Sequence, residues 1–136
     1  MRIAPLLLSA LLAGLGFSNG AQALAAGDPP SACFEAWVLS RIAADQDERI
    51  AQGKDDVRIT GFGAIGRRGL RPHEPGQPFR ELCEAQANLA DGTRQPIWFE
   101  VETQAGGAVR EAPKVDFCLR GHDPDHVYGD DCRSLR

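Results

Sequence analysis

Four cysteines constrain the fold of this chain more than any other feature. They are spread along the sequence rather than grouped, at Cys33, Cys83, Cys118 and Cys132. An even number of well-separated cysteines in a small domain is typical of two disulfides, for which three connectivities are possible. A structural zinc site needs thiolates grouped in short pairs, and this sequence has no such pair. We therefore expect two disulfides if the chain reaches an oxidising compartment.

The N-terminal residues predict that the chain is exported to such an oxidising compartment. Arg2 gives a short positive start, and uncharged, mostly apolar residues follow from Ile3 to Phe17. Overlapping small-x-small sites end at Ala23 and Ala25. This order is that of a secretory signal peptide, and the apolar run is shorter than the roughly 20 residues of a membrane-spanning helix. We predict a signal peptide over residues 1–25 and a periplasmic or secreted product without stable membrane insertion.

Residues 26–136 are then expected to form a single exported domain. Arg2 is the only charged residue of the signal peptide, so 14 of the 15 basic residues remain beside all 19 acidic ones, a formal net charge of −5. A nucleic-acid binder normally carries a basic stripe, so this balance argues against nucleic acid as a partner. A domain of this size buries only about two thirds of its unfolded surface, and disulfides would add needed stability.

Apolar spacing predicts one helix at the start of this domain. A broad stripe at helical spacing runs from residue 33 to residue 44 and consists of Cys33, Phe34, Trp37, Val38 and Ile42. Ser31, behind two prolines, is a suitable capping residue. The pattern then becomes polar, and Gly53 is the expected end of the helix. Cys33 is accordingly predicted to point towards the core.

Alternating apolar residues after the helix predict about four antiparallel strands. A loop rich in glycine, arginine and proline is expected from Gly66 to Pro78, and turns are expected at Asp91-Gly92 and Gly106-Gly107. The expected strands cover residues 57–60 with a continuation to 63, 79–89, 97–102 and 115–119. The predicted class is α+β, with one N-terminal helix packed on a curled antiparallel sheet and braced by two disulfides.

The direction of the side chains narrows the disulfide connectivity. Alternation places Cys83 on the inner face of the sheet and Cys118 on the outer face. A Cys33–Cys83 bond would tie the helix to the sheet through the core, and a Cys118–Cys132 bond would fold the C-terminal segment over the outer face. Closing these loops contributes about 4 and about 3 kcal/mol, respectively. We favour this pairing, and the other two connectivities stay open.

The outer face also carries Trp98, whose large apolar ring needs cover. Val127 and Tyr128 are the substantial apolar residues between Gly121 and Cys132. We therefore expect both to pack on or near Trp98, with the C-terminal segment acting as a structural flap.

One helix across a curled antiparallel sheet is analogous to the cystatin-like and NTF2-like architectures. The C-terminal half carries a more specific pattern, namely Cys83-Glu84-Ala85-Gln86-Ala87, Asp91-Gly92, Ile97-Trp98-Phe99, Cys118, Gly121-x-Asp123, Tyr128 and Cys132-Arg133. Over about residues 80–136 this pattern resembles small exported proteins of alphaproteobacteria, a group with no assigned activity. The resemblance implies export and a structural role for the C-terminal segment, and it carries over no catalytic residues.

Two groups of residues are candidates for a site. His122, Asp123 and His126 offer imidazole and carboxylate ligands suited to zinc, copper or nickel. We favour the alternative that this segment is a surface turn in which aspartates cap backbone N–H groups, and we expect no cofactor. Arg67, Arg68 and Arg71, near His73 in the expected loop, are candidates for docking an acidic partner or polysaccharide. We favour the alternative that this loop is only solvated.

The sequence contains no convincing catalytic set, since the cysteines are assigned to disulfides and no serine is placed to meet a histidine. The leading hypothesis is an exported, non-enzymatic binding or interaction module whose partner is an envelope protein or a glycan. A second hypothesis is a small metal-binding protein or metal-dependent enzyme that uses His122 and His126. A third is an envelope assembly subunit whose strand edge pairs with another chain.

Overall fold

A computed structural model of the chain describes residues 30–72, 74–103 and 113–136. The predicted signal peptide, His73 and the Gly106-Gly107 turn lie outside the described residues. The elements are a helix α1 (Ala36–Ala51) and strands β1 (Ile59–Leu70), β2 (Phe79–Leu89), β3 (Arg94–Thr103) and β4 (Lys114–Leu119). Short 3₁₀ helices cover Ala32–Phe34 and Asp130–Cys132. The predicted α+β class is confirmed, and no described helix is long and apolar enough to cross a membrane.

The four strands form an open antiparallel sheet in the order β1-β2-β3-β4, so that each strand pairs with its neighbour in sequence. The predicted Asp91-Gly92 turn joins β2 to β3, and Gly92 has a φ of 86°. There the Asp91 carboxylate accepts hydrogen bonds from the side chain and the backbone N–H of Thr93. These bonds hold the pKa of Asp91 below its ordinary value. The turn residues therefore set the register of the central hairpin.

Strand β1 corrects the prediction of a loop from Gly66 to Pro78, because it continues to Leu70. Its pairing with β2 contains three register shifts, and Ala64 has a φ of 47° beside one of them. Such bulges accommodate a glycine-rich segment that lacks regular alternation. The backbone of β2 needs hydrogen-bond partners along its whole length, and β1 supplies them on this side. Arg67 and Arg68 are consequently strand residues.

Helix α1 also begins later than the apolar stripe predicted. Cys33 belongs to the preceding 3₁₀ turn, in which the Ser31 side chain accepts a hydrogen bond from the Cys33 N–H. Phe34 and Trp37 are exposed, so they are not part of the buried stripe. That stripe consists of Val38, Ile42 and Gln46, one helical turn apart. The helix ends as predicted, with Gly53 in the left-handed region at a φ of 69°.

The main core lies between α1 and the sheet, where the helix contacts both edge strands. Val38 and Ile42 pack there on apolar sheet residues, the largest being Ile97, Phe99, Phe117 and Leu119. The predicted Cys33–Cys83 disulfide is present in this core, and both of its cysteines are fully buried. It joins residues 50 positions apart and so ties the start of the helical region to the sheet.

The opposite face of the sheet is covered by the C-terminal segment. Cys118 lies on this face as predicted, and its disulfide with Cys132 buries both residues. Trp98 and Tyr128 pack against a cluster formed by that bond and Leu135, so Tyr128 lies near Trp98 as predicted. The same prediction was wrong for Val127, which is 69% exposed. The N–H groups of Val127 and Tyr128 both donate to the Asp123 carboxylate, in a turn that leaves Val127 in solvent.

Candidate functional site

The three arginines proposed to dock a partner have carboxylate neighbours within the sheet. Nε of Arg67 lies 2.9 Å from Oε1 of Glu81, which is an ion-pair distance. The angles of this contact do not make it a hydrogen bond. The other oxygen of Glu81 accepts a hydrogen bond from the Ala32 N–H at 2.7 Å. Glu81 is buried, so these contacts supply the compensation that a buried carboxylate needs. The pair has a structural role at the edge of the core.

Arg68 and Arg71 reach across the outer face towards the C-terminal segment. Arg71 forms an ion pair with Glu100 on β3, and its Nη2 donates to the backbone carbonyl of Ser134 at 2.7 Å. Arg68 lies 3.4 Å from Glu84 and donates a longer bond, of 3.5 Å, to the carbonyl of Leu135. These arginines therefore hold the chain's own C-terminal segment on the sheet.

A different group of residues surrounds His122. Nδ1 of His122 lies 2.9 Å from Oδ1 of Asp55, a residue that follows the end of α1 and is 67 positions away in sequence. The Asp55 side chain is only 4% exposed and that of His122 is 20% exposed. Oδ1 also accepts hydrogen bonds from the backbone N–H groups of Asp56 and Val57. The arrangement joins the α1–β1 connection to the turn that follows β4.

The charge state of Asp55 determines the direction of this hydrogen bond. Burial alone would raise the pKa of Asp55, but the adjacent Gln46 amide, His122 and two backbone N–H groups lower it below its ordinary value. An ionised carboxylate only accepts hydrogen bonds, so Nδ1 of His122 carries the proton and donates it. In the neutral imidazole, Nε2 then keeps a free lone pair.

Gln46 extends this group into the core. It is fully buried on α1, and its Nε2 donates to the carbonyl of Val57 at 2.8 Å. The amide lies beside Asp55 and favours the ionised form, yet it makes no bond of good geometry to Oδ2, which is buried and without a hydrogen-bond partner. The Oε1 atom of Gln46 is likewise unpartnered. Buried polar atoms without partners are uncommon and mark this group as unusual.

The structure separates the three residues proposed as metal ligands. His122 binds Asp55, whereas the Asp123 carboxylate accepts backbone N–H groups of its own turn. His126 is 66% exposed and lies 3.6 Å from Asp130. Its φ of 50° fits the turn conformation favoured for this segment. Among the described residues, those close enough to share an ion with His122 are Asp55 and Asp56.

Two depressions meet at His122. The first, the α1 cleft, has a volume of about 270 Å³ and lies between the C-terminal half of α1 and residues 122–125 with Val127. The helix contributes Glu48, Arg49 and Gln52 to it, and Arg49 also lies over the Phe117 ring at 4.6 Å. The second, the Asp55 depression, has a volume of about 370 Å³ and lies between residues 53–56 and residues 121, 122 and 124. Charged side chains of both signs line the cleft, a surface suited to polar or charged ligands.

Sequence reasoning singled out His122 but missed Asp55, Asp56 and Gln46. The only local signal for Asp55 is its place just after the helix-ending Gly53, where an aspartate commonly caps backbone N–H groups. Its contact with His122 depends on the path of the sheet and has no signature in sequence spacing. Comparison with known proteins adds no further assignment, because no family model, no curated protein and no solved structure matches this chain.

Proposed function

We propose that this chain is an exported, non-enzymatic binding module that receives a charged ligand or partner in the α1 cleft. Arg49 and Lys54 lie there beside Glu48, Asp123 and Asp125, so the wall presents charges of both signs. Such surfaces favour orientation and specificity of a bound group. The observation that carries the proposal is the cleft itself, whose wall at His122 is held to the connection after α1 by the Asp55–His122 hydrogen bond.

The disulfides support export. Two bonds join all four cysteines, which indicates an oxidising compartment. The N-terminal pattern of residues 1–25 then favours a signal peptide and a periplasmic or secreted product. Both bonds are buried and brace the domain on opposite faces, so the walls of the cleft belong to a rigid frame. A pre-organised wall lowers the entropy cost of binding.

The partner class proposed for the cleft is an envelope protein or a glycan that carries charged groups. The arginine patch expected from the sequence is less suited to docking, since Arg68 and Arg71 bind the C-terminal segment. Strand-edge assembly through β1 is also less favoured, because three register shifts make that edge irregular. Bulged edges are poor templates for pairing with another strand.

Export and binding are tested in the same cells. The full chain is expressed with a photo-cross-linking residue in place of Gln52, an exposed residue of the cleft wall. The matched control replaces Gln77, an exposed residue in the β1–β2 connection at the other end of the sheet. The envelope fraction is analysed by mass spectrometry after irradiation. We expect the protein to begin at Leu24 or Ala26 and a cross-linked product to form from position 52 alone.

Export and binding in the α1 cleft would each be contradicted by a different result. Protein that still begins at Met1 and remains in the cytoplasm would refute export. Equal products from positions 52 and 77, or products from position 77 alone, would refute the α1 cleft as the binding surface. Addition of a soluble glycan extract during irradiation tests the partner class, because a glycan ligand would reduce the yield of any protein cross-link at position 52.

A further inference from the structure

We propose that Asp55, Asp56 and His122 form a binding site for a divalent transition-metal ion of the zinc type. One ligand atom from each residue lies within 4.8 Å of the ligand atoms of the other two. Two carboxylates and one imidazole are ligands that zinc takes at sites where a further position stays open. The site lies in the Asp55 depression and shares His122 with the α1 cleft, so the inference deepens the proposed function by assigning an ion beside the cleft.

The unpartnered oxygen of Asp55 is the observation that points to a ligand. Oδ2 is buried and has no hydrogen-bond partner, although the side chain is 4% exposed and is held by three donors at Oδ1. A buried carboxylate needs compensation at both oxygens, either from donors or from a cation. The nearest amide, that of Gln46, donates to the Val57 carbonyl and favours the ionised form of Asp55, but it makes no bond of good geometry to Oδ2. A coordinated cation would satisfy the remaining oxygen.

The distances suit a small ion. Nδ1 of His122 and Oδ1 of Asp55 are 2.9 Å apart. Two ligands at ordinary zinc distances and a tetrahedral angle are about 3.3 Å apart, so the pair needs to open by only a few tenths of an ångström for an ion to take these atoms. The ion would replace the proton on Nδ1 of His122, and that proton would pass to solvent. Asp56 is exposed, so its carboxylate can turn towards the ion.

The frame around the site is rigid on both sides. Backbone N–H groups of Asp56 and Val57 fix Asp55 directly after the end of α1. The N–H of His122 donates to the Leu119 carbonyl at the end of β4, next to the Cys118–Cys132 bond. Two aspartates match the charge of a divalent ion, while the flexible Lys54 ammonium lines the same depression and opposes it. An ion would therefore add a cross-link between the α1–β1 connection and the C-terminal segment.

The test is calorimetric titration of the purified, oxidised protein with zinc chloride after treatment with a chelator. The wild type is expected to bind one ion saturably. Asp56→Asn keeps the side-chain shape and removes only an exposed carboxylate, so it is the main variant; we expect its affinity to fall by at least about tenfold, as for losses around zinc sites in general. His122→Ala is expected to abolish binding. His126→Ala, at the exposed histidine of the same turn, is the matched control and is expected to bind as the wild type does.

Three results would overturn the proposal. They are no saturable zinc binding by the wild type, unchanged affinity in Asp56→Asn, and a loss in His126→Ala as large as that in His122→Ala. Circular dichroism melts establish that each variant is folded, and if His122→Ala does not fold, Asp56→Asn decides. Because titration uses the isolated protein, a failure here leaves the cross-linking result intact, and a failed cross-link at position 52 leaves zinc binding intact.

Discussion

The two faces of the sheet are covered by different means. On the inner face, α1 packs apolar side chains on a continuous core that also contains the Cys33–Cys83 bond. On the outer face, an irregular C-terminal segment is held by the Cys118–Cys132 bond, by a small cluster around Trp98 and by arginine contacts to its carbonyls. Arg136 also lies over the Trp98 ring at 5.8 Å. The inner face therefore depends mainly on apolar burial, and the outer face on a cross-link and polar contacts.

This difference bears on the candidate site, which lies where the C-terminal segment meets α1 at one end of the sheet. A segment held by polar contacts presents charged and imidazole groups at its turns, as residues 121–126 do beside α1. The apolar core beneath provides a rigid support without taking part in the chemistry. Residues that bind ligands are commonly placed in this way, on connections supported by regular elements.

The largest expected effect compares two adjacent residues that face opposite ways. Phe99 is fully buried in the inner core, whereas Trp98 is partly buried under the C-terminal segment. Phe99→Ala is expected to lower the free energy of unfolding by about 3–5 kcal/mol through the lost apolar contacts and the cavity left behind. Trp98→Ala is expected to cost only about 1–2 kcal/mol. Urea denaturation of both variants measures the difference, and a larger loss for Trp98→Ala would show that the outer cluster is the main core.

Removal of the disulfides gives a smaller contrast. Cys33→Ala/Cys83→Ala opens the longer loop and takes two sulfurs out of the inner core, so we expect a loss of about 4 kcal/mol in unfolding free energy. Cys118→Ala/Cys132→Ala opens a loop of sequence separation 14 and is expected to cost about 3 kcal/mol. Thermal and urea unfolding of the two double variants, which contain no unpaired thiol, gives the order. The reverse order would contradict the assignment of the stronger brace to the inner face.

The smallest effect concerns the polar contacts of the outer face. Arg71→Ala removes the ion pair with Glu100 and the bond to Ser134, and because Arg71 is partly exposed we expect a loss of about 0.5–1 kcal/mol. Hydrogen exchange at the Ser134 and Leu135 amides should become faster while exchange in α1 stays the same. Arg94→Ala, at an exposed hairpin residue, is the control and should change neither. Unchanged exchange at the C-terminal amides would show that the disulfide alone holds the segment.

Most of the fold could be predicted from local patterns. Alternation placed Cys83 and Cys118 on opposite faces, and with Cys33 in the helical region this was enough to favour the connectivity that the structure shows. The turn residues Asp91-Gly92 and the helix-ending Gly53 were found because each has a backbone conformation with a strong residue preference. The apolar pattern did not predict the late start of α1 or the exposure of Trp37. Near the start of the helix there are more apolar residues than the buried face can take, so the pattern does not show which of them are buried.

The candidate site was much less predictable. Local composition favoured a loop around Arg67 and Arg68, but pairing with β2 over bulges overrode it. His122 was singled out as a possible ligand, and the partners expected for it were its neighbours in sequence. The residues that meet it, Asp55 and Asp56, come from a connection that alternation and helical spacing do not describe. Sequence patterns report on neighbours along a chain and not on two loops brought to one end of a sheet.

By itself, the sequence determined the α+β class and the inner and outer faces of β2, β3 and β4, because burial follows the side-chain period and turns follow residue type. It also determined which cysteines could brace each face. Only the tertiary structure decided that Arg68 and Arg71 bind the chain's own C-terminal segment and that His122 meets Asp55. These contacts join residues more than 60 positions apart. The His122–Asp55 contact forms because β4 ends at the same end of the sheet at which the connection after α1 leads into β1. Long-range contacts of this kind depend on the packing of the whole chain, which no local pattern records.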